Sequence, residues 1–268
     1  MIRLAVRAPA GAAEQVLGAM IELCPSGIEQ VDGDGWVEFA VYGAPGELPE
    51  LALGEAEVAG VVVQVSGTEV PEDWEERWKR FHQPVLVGDR VYVRPPWEEP
   101  VVRGGVIDLV IDPGRAFGTG AHPTTRLCLE LLLEVEQRGS LADLGCGSGV
   151  LSIAAARLGF DRVEAYDSDR LAVEATQANA EANGVSLAKV EQADLRSRAV
   201  PMAQVVLANL MRPLLLRLAG LMNGAPQVLV VSGLLEPEAD EVVAAFGPAL
   251  VERRRLTDSG WSAVLLAS

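Results

Sequence analysis

Cysteine is scarce in this chain: Cys24, Cys128 and Cys146 are three among 268 residues, and no two stand in CxxC spacing. An odd, scattered set excludes a disulfide framework and a cysteine-based zinc site as organising principles. Histidine is scarcer still. His82 and His122 are the whole complement, too few and too far apart to suggest a metal centre, and no metal is expected. No apolar run reaches the roughly 18 uncharged residues of a membrane span. The opening MIRLAVRAPAGAAEQ lacks the long apolar stretch that directs secretion. These absences predict a cytoplasmic protein with no membrane contact.

Positive charge is also in deficit, with 22 Lys and Arg against 38 Asp and Glu, for a net charge of −16. The imbalance is uneven. Residues 1–70 carry eleven acidic side chains against Arg3 and Arg7 and sum to −9, residues 71–105 sum to −1, and residues 106–268 to −6. A negative field repels phosphate backbones and attracts cations, so free nucleic acid is not the expected partner and a basic protein is. The chain is 49% apolar, which suffices for a real core. Its length accommodates a large α/β domain and a small companion.

Three regions follow from the patterning. Residues 1–70 alternate strand and helix signals: a strand from Ile2, a helix over Ala12 to Leu23, a hairpin across Asp32-Gly-Asp-Gly35, a second short helix over Pro49 to Glu57, and a last strand from Val58. That order, β-α-β-β-α-β, predicts a small α+β ferredoxin-like sandwich, with recognition as its job. Residues 71–105 read as a linker whose helix aligns Trp74, Trp78 and Phe81 on one face, followed by a strand over Val85 to Val93. From residue 106 to 268, strands and helices alternate and end in an antiparallel pair, Val251 to Leu256 and Trp261 to Leu266, joined by a tight turn. A doubly wound, Rossmann-like sheet closed by such a hairpin is the layout of the seven-stranded methyltransferases.

The chemistry concentrates in four segments. Asp143-Leu-Gly145-Cys-Gly147-Ser-Gly149 stands between a strand and a helix, where glycines let the backbone approach a ligand and the helix N-terminus offers free N–H groups. The spacing is G-x-G-x-G rather than G-x-G-x-x-G, which disfavours a nicotinamide dinucleotide and points to S-adenosylmethionine, whose ammonium Asp143 would attract. Asp167, about 20 residues on and at the end of the next strand, is placed to accept from a ribose diol. Asp169 is expected to cap the next helix. Asp194, after the following strand, is a candidate acceptor for an adenine amino group. The loop Ile111-Asp-Pro-Gly-Arg-Ala-Phe117-Gly118-Thr119-Gly-Ala-His122-Pro-Thr124-Thr125 suits a lid over the cofactor, with His122 orienting it and the Thr pair capping a helix or touching the ligand. Asn209, at the end of Val205-Val-Leu-Ala-Asn209, is the catalytic candidate, because its carbonyl can orient the N–H groups of an attacking amine.

At these residues the sequence resembles the ribosomal protein L11 methyltransferase family, which methylates amines of that large-subunit protein. The likeness rests on DWEERWKRFHQP, IDPGRAFGTGAHPTT, DLGCGSG and the ANL segment. It implies that Thr124, Gly145, Asp167 and Asn209 contact S-adenosylmethionine, and that the front domain grips the substrate. Ser168 and Arg170 depart from the D-I-D-P run usual in that family. The absence of an N/D-P-P-aromatic run and the negative charge weigh against nucleic-acid or small-molecule methylation. The same chemistry on another protein lysine and a non-catalytic S-adenosylmethionine-binding factor are the alternatives. A monomer is the expected state.

Overall fold

Alternating inward and outward side chains build the first sheet, over strands β1 (Ile2–Pro9), β2 (Glu29–Gly33), β3 (Trp36–Gly43), β4 (Gly54–Val58) and β5 (Val61–Glu69). The computed structural model describes residues 2–23, 28–43, 48–49, 51–69, 82–114, 118–196, 201 and 203–268. The chain divides into two compact units, Met1–Phe81 and His82–Ser268. In the first, the strand order is β2-β3-β1-β5-β4 with every adjacent pair antiparallel. Helix α1 (Ala13–Leu23) sends Val16 and Met20, one turn apart and fully buried, into a core with Leu4, Val6, Phe39 and Val41.

The β2-β3-β1-β5 order is that of the expected split sandwich, but no second helix appears among the unit's described residues. Residues 54–58 form strand β4 instead, because Ala56 and Val58 alternate with Glu55 and Glu57 and the two-residue turn Ala59-Gly60 has positive φ at both positions (51° and 78°). Such a primed turn matches strand twist and closes a hairpin, which outweighs the weak helical signal of an Ala/Glu/Leu stretch. The expected aromatic helix of the linker lies outside the described residues.

In the second unit, β6 (Val85–Val87), β7 (Val91–Arg94) and β8 (Ile107–Val110) make a small sheet. Val87, Val91, Val93 and Leu109 belong to the same core as Leu127, Leu131 and Leu132. Residues 82–105 thus belong to the second compact unit, His82–Ser268. His82 itself is half-buried, its ring 6.5 Å from and edge-on to Trp97, not a bare surface residue.

The main sheet comprises β9 (Ser140–Leu144), β10 (Arg162–Asp167), β11 (Lys189–Gln192), β12 (Val205–Asn209), β13 (Val228–Leu235), β14 (Val251–Asp258) and β15 (Trp261–Ala267), in the order β11-β10-β9-β12-β13-β15-β14. The first five are parallel; β15 runs antiparallel between β13 and β14. Helices α2 (Pro123–Glu134), α3 (Val150–Arg157), α4 (Arg170–Ala182), α5 (Arg212–Leu221) and α6 (Ala239–Ala245) accompany it. On β12, Val205 and Leu207 enter one core cluster while Val206 and Ala208 enter another. Both faces are therefore covered, which explains why the strand reads as an unbroken apolar run. Helix α5 has no counterpart among the expected elements. Pro213 in its first turn, with Leu215 and Leu218 fully buried on one face, is the signal that would have found it. No helix of the described residues is long and apolar enough to cross a membrane.

Candidate functional site

Parallel strands leave their carboxyl ends along one edge, and where strand order reverses, between β9 and β12, a crevice opens for a ligand. Here that edge is level. Leu144 pairs with Tyr166 on one side and Ala208 on the other, Asp167 with Gln192, and Asn209 with Ser232. Asp194, Asp167, the turn after Leu144 and Asn209 accordingly leave four neighbouring strands, β11, β10, β9 and β12, at nearly one height. Period-2 pairing does what sequence spacing alone cannot: it collects residues 65 positions apart.

The glycine turn is pinned on three sides. The N–H groups of Gly145 and Cys146 donate to the Tyr166 carbonyl (2.8 and 3.0 Å), and that of Gly147 to Asp167 Oδ2 (2.9 Å). Thr176 Oγ1 and Asn179 Nδ2, both on α4, donate to the carbonyls of Gly147 and Ser148. Gly145 adopts φ 78°, a conformation that favours glycine, and a Cβ there would fall 2.3 Å from Leu210 Cδ2, the tip of a side chain.

Asp167 is half-buried, with Oδ1 accepting from the Asp169 N–H at 3.0 Å. Burial raises its pKa, against backbone hydrogen bonds from Asp169, Gly147 and Ser168. A carboxylate has about four lone-pair sites, so acceptor capacity remains for a ligand hydroxyl. Asp169 Oδ1 accepts from the Leu171 N–H and caps α4, as expected of it. Asp167→Ala is expected to weaken S-adenosylmethionine binding by about 1 to 3 kcal/mol, the range for hydrogen bonds to a charged group. Calorimetric titration checks it; an unchanged Kd in a folded variant would place the ribose elsewhere.

Asp143 is fully buried. Its Oδ2 accepts from Ser152 Oγ at 2.6 Å, while Oδ1 has no partner among the described residues. Burial, with the Asp167 charge adding to it, pushes its pKa up to about 6 from an ordinary 3.8. A raised folded-state pKa means that ionising Asp143 costs stability as pH climbs from 3.8 to about 6, with no further cost above. Asp143→Asn should therefore gain on the wild type by roughly 2 to 3 kcal/mol between pH 4 and pH 7, at about 1.4 kcal/mol per pKa unit. Denaturant melts across that range test it, and a pH-independent difference would refute it.

The lid meets this turn. Ser148 Oγ donates to the Gly118 carbonyl at 2.6 Å, and half-buried Thr119 follows. Phe117 lies outside the described residues. His122 caps α2: its Nδ1 accepts from the Thr124 N–H (3.3 Å) and lies 2.8 Å from Thr124 Oγ1. Burial, with Arg126 nearby, lowers its pKa, in keeping with a neutral, accepting ring. Of the Thr pair, Thr124 thus engages His122, while Thr125 Oγ1 accepts from Asn209 Nδ2 at 3.5 Å, a long contact. Asp194 Oδ1 accepts from the backbone N–H and the Nε of Arg196, each at 2.9 Å.

Two clasps escaped the sequence reading. Arg126 donates to the Ala121 carbonyl and pairs with Asp258, tying the base of the lid to the β14–β15 turn, where Trp261 stacks edge-on against His122 at 5.0 Å. Asn183, the C-cap of α4, bonds both the N–H and the C=O of Val110, and Asn179 Oδ1, inside the helix, accepts from the Asp112 N–H. Asparagine is a poor helix former, so Asn179 in the helix interior is the signal that such tertiary work is being done.

The edge fits an adenosyl ligand with a cationic tail: half-buried Asp167 retains acceptor sites, glycine gives close approach at residue 145, and a buried anionic oxygen lies behind the turn. The fold and this site define an S-adenosylmethionine-dependent methyltransferase. A family model described as ribosomal protein L11 methyltransferase (PrmA) matches residues 50–268. The chain belongs to that family. It is 35% identical to the ribosomal protein L11 methyltransferase of Thermoanaerobacter sp. (strain X514) over 224 residues, 81% of this chain and 71% of the relative. It is 42% identical to that of Pelotomaculum thermopropionicum over 190 residues, 68% and 62% of the two chains. Among solved structures, a ribosomal protein L11 methylase from Lactobacillus delbrueckii subsp. bulgaricus has the same fold, with a TM-score of 0.61, 22% identity, and coverage of 70% of this chain and 98% of that one.

Proposed function

We propose that this chain transfers methyl groups from S-adenosylmethionine to amines of ribosomal protein L11, on lysine side chains, the N-terminus or both. The observation that carries the reading is the row of four strand ends, with Asn209 hydrogen-bonded to Thr125 beside the glycine turn. When bound, the cofactor supplies an electrophilic methyl group on a sulfonium. Asp167 accepts from its ribose hydroxyls, and the ionised Asp143 attracts its ammonium through the field rather than by contact. Asp194, which follows β11, is the acceptor offered to the adenine amino group. Thr124 engages His122 at the start of α2, and Gly118 and Thr119 lie on the loop that meets the glycine turn at Ser148.

Attack requires a neutral amine in line with the sulfonium. Asn209 spends its Nδ2 on Thr125 and keeps Oδ1 for an N–H of the incoming amine, which fixes the direction of the nitrogen lone pair. A lysine entering a site of low polarity loses its proton to water beforehand, so no dedicated base is needed. The acidic front unit draws in a basic protein, and the enzyme works as a cytoplasmic monomer. Ribosomal proteins from a strain lacking this gene, incubated with the enzyme and labelled S-adenosylmethionine, test the reading by peptide mass analysis. Label on L11 amines supports it; label only on another protein's lysine would transfer the same chemistry to that substrate.

A further inference from the structure

Leu210, the residue after Asn209, is held between two glycines from distant parts of the chain. On one side its Cδ2 occupies the space that a Cβ on Gly145 would need, 2.3 Å away. On the other, a Cβ on Gly233 would fall 2.4, 2.7 and 3.0 Å from the carbonyl oxygen, carbonyl carbon and nitrogen of Leu210. Those are backbone atoms, which cannot swing aside as the tip of a side chain can. Gly233 has φ 83° and lies in β13 where its register with β15 breaks, between Val231 and Leu234. The Leu210 N–H donates to the carbonyl of Ser232, Gly233's neighbour, at 3.0 Å. The break in β13 thus forms a notch into which the backbone after Asn209 nests.

We propose that Gly233 and Leu210 are positioning residues for methyl transfer, an inference that rests on the proposed function. Gly233 sets the backbone course that aims the Asn209 carbonyl at the acceptor amine. Leu210 props the Gly145 turn from below and so holds the cofactor side at a fixed distance from Asn209. Neither touches the reacting atoms. A Cβ at Gly233 moves the Leu210 backbone and swings Asn209 with it; a missing side chain at Leu210 lets the Gly145 turn sink while β12 keeps its place.

The two halves predict opposite kinetic signatures in the full-length enzyme. Gly233→Ala should lower kcat for L11 by at least about tenfold, since small misplacements of an orienting group are costly, while the Kd for S-adenosylmethionine by calorimetry stays within about threefold. Gly233→Asn should match it: asparagine tolerates positive φ but still carries a Cβ, so steric approach rather than φ strain is what the pair reads. Leu210→Ala should do the reverse, raising the cofactor Kd several-fold with a smaller change in kcat. Recovery of kcat by Gly233→Asn, a kcat within twofold of wild type in Gly233→Ala, or equal losses in kcat and cofactor affinity would overturn the role of Gly233. An unchanged cofactor Kd in Leu210→Ala overturns the role of Leu210, and decides alone should the Gly233 variants not fold. If the wild type itself leaves L11 unmodified, the proposed function fails, and the Leu210→Ala titration still judges the packing.

Discussion

Asn209→Ala is expected to reduce turnover on L11 by on the order of a hundredfold while changing S-adenosylmethionine affinity far less. The side chain contributes one acceptor oxygen, Oδ1, that has no partner among the described residues, and one donor, Nδ2, in long contact with Thr125. Losing the acceptor leaves the incoming amine free to rotate, and alignment of a nucleophile with its target is worth a factor of that size. Since the effect is confined to the transition state, kcat and kcat/KM should fall together with KM nearly constant. Asn209→Asp keeps an acceptor but adds a charge that favours the protonated amine, so it should recover little at neutral pH and more as pH rises. Single-turnover kinetics with saturating cofactor decide it. A fall in cofactor affinity equal to the fall in turnover would make Asn209 a cofactor-holding residue only.

Removing residues 1–81 should cut methylation of L11 steeply while leaving cofactor binding nearly intact. Every strand end of the site lies in the unit His82–Ser268, which carries its own core. The front unit holds a different resource, the −9 charge of its first seventy residues. Arg3 and Arg7, the cations of those seventy residues, are already paired with Glu29 and Glu38, and the field of that stretch is negative. Association of the intact enzyme with a basic substrate should therefore slow as salt rises. Circular dichroism first establishes that the truncated chain is folded. Full methylation efficiency without the front unit, or an association rate indifferent to salt, would reassign the acidity to solubility.

Local patterns and distant contacts were not equally legible. The glycine turn, Asp167 and Asn209 stand out because each sits at the end of an apolar strand, where spacing along the chain dictates position on the sheet edge. Asp169 is readable as a cap for the same reason, since a cap acts over two residues; the cap of α2, expected of the Thr pair, falls on His122 instead. Strand β4 was misread as a helix because Ala, Leu and Glu suit a helix by propensity, and only the Ala59-Gly60 turn and pairing with β5 decide for strand. Leu210 against Gly145 and Gly233 was invisible, since nothing local tells a glycine required by close approach from one required by a turn. Asn179 lay between: its cost inside a helix was visible, but its partners at Asp112 and Ser148 were not, nor were those of the C-cap Asn183 at Val110.

The most direct test of the account is one reaction: purified enzyme, S-adenosylmethionine and L11 from a strain lacking the gene, followed by intact-mass and peptide analysis of L11. The account predicts that L11 gains mass in whole methyl increments located on lysine or N-terminal amines, and that Asn209→Ala, loaded with cofactor to the same extent, leaves it almost unmodified. L11 recovered at its original mass from the wild-type reaction, with S-adenosylmethionine demonstrably bound, would contradict it.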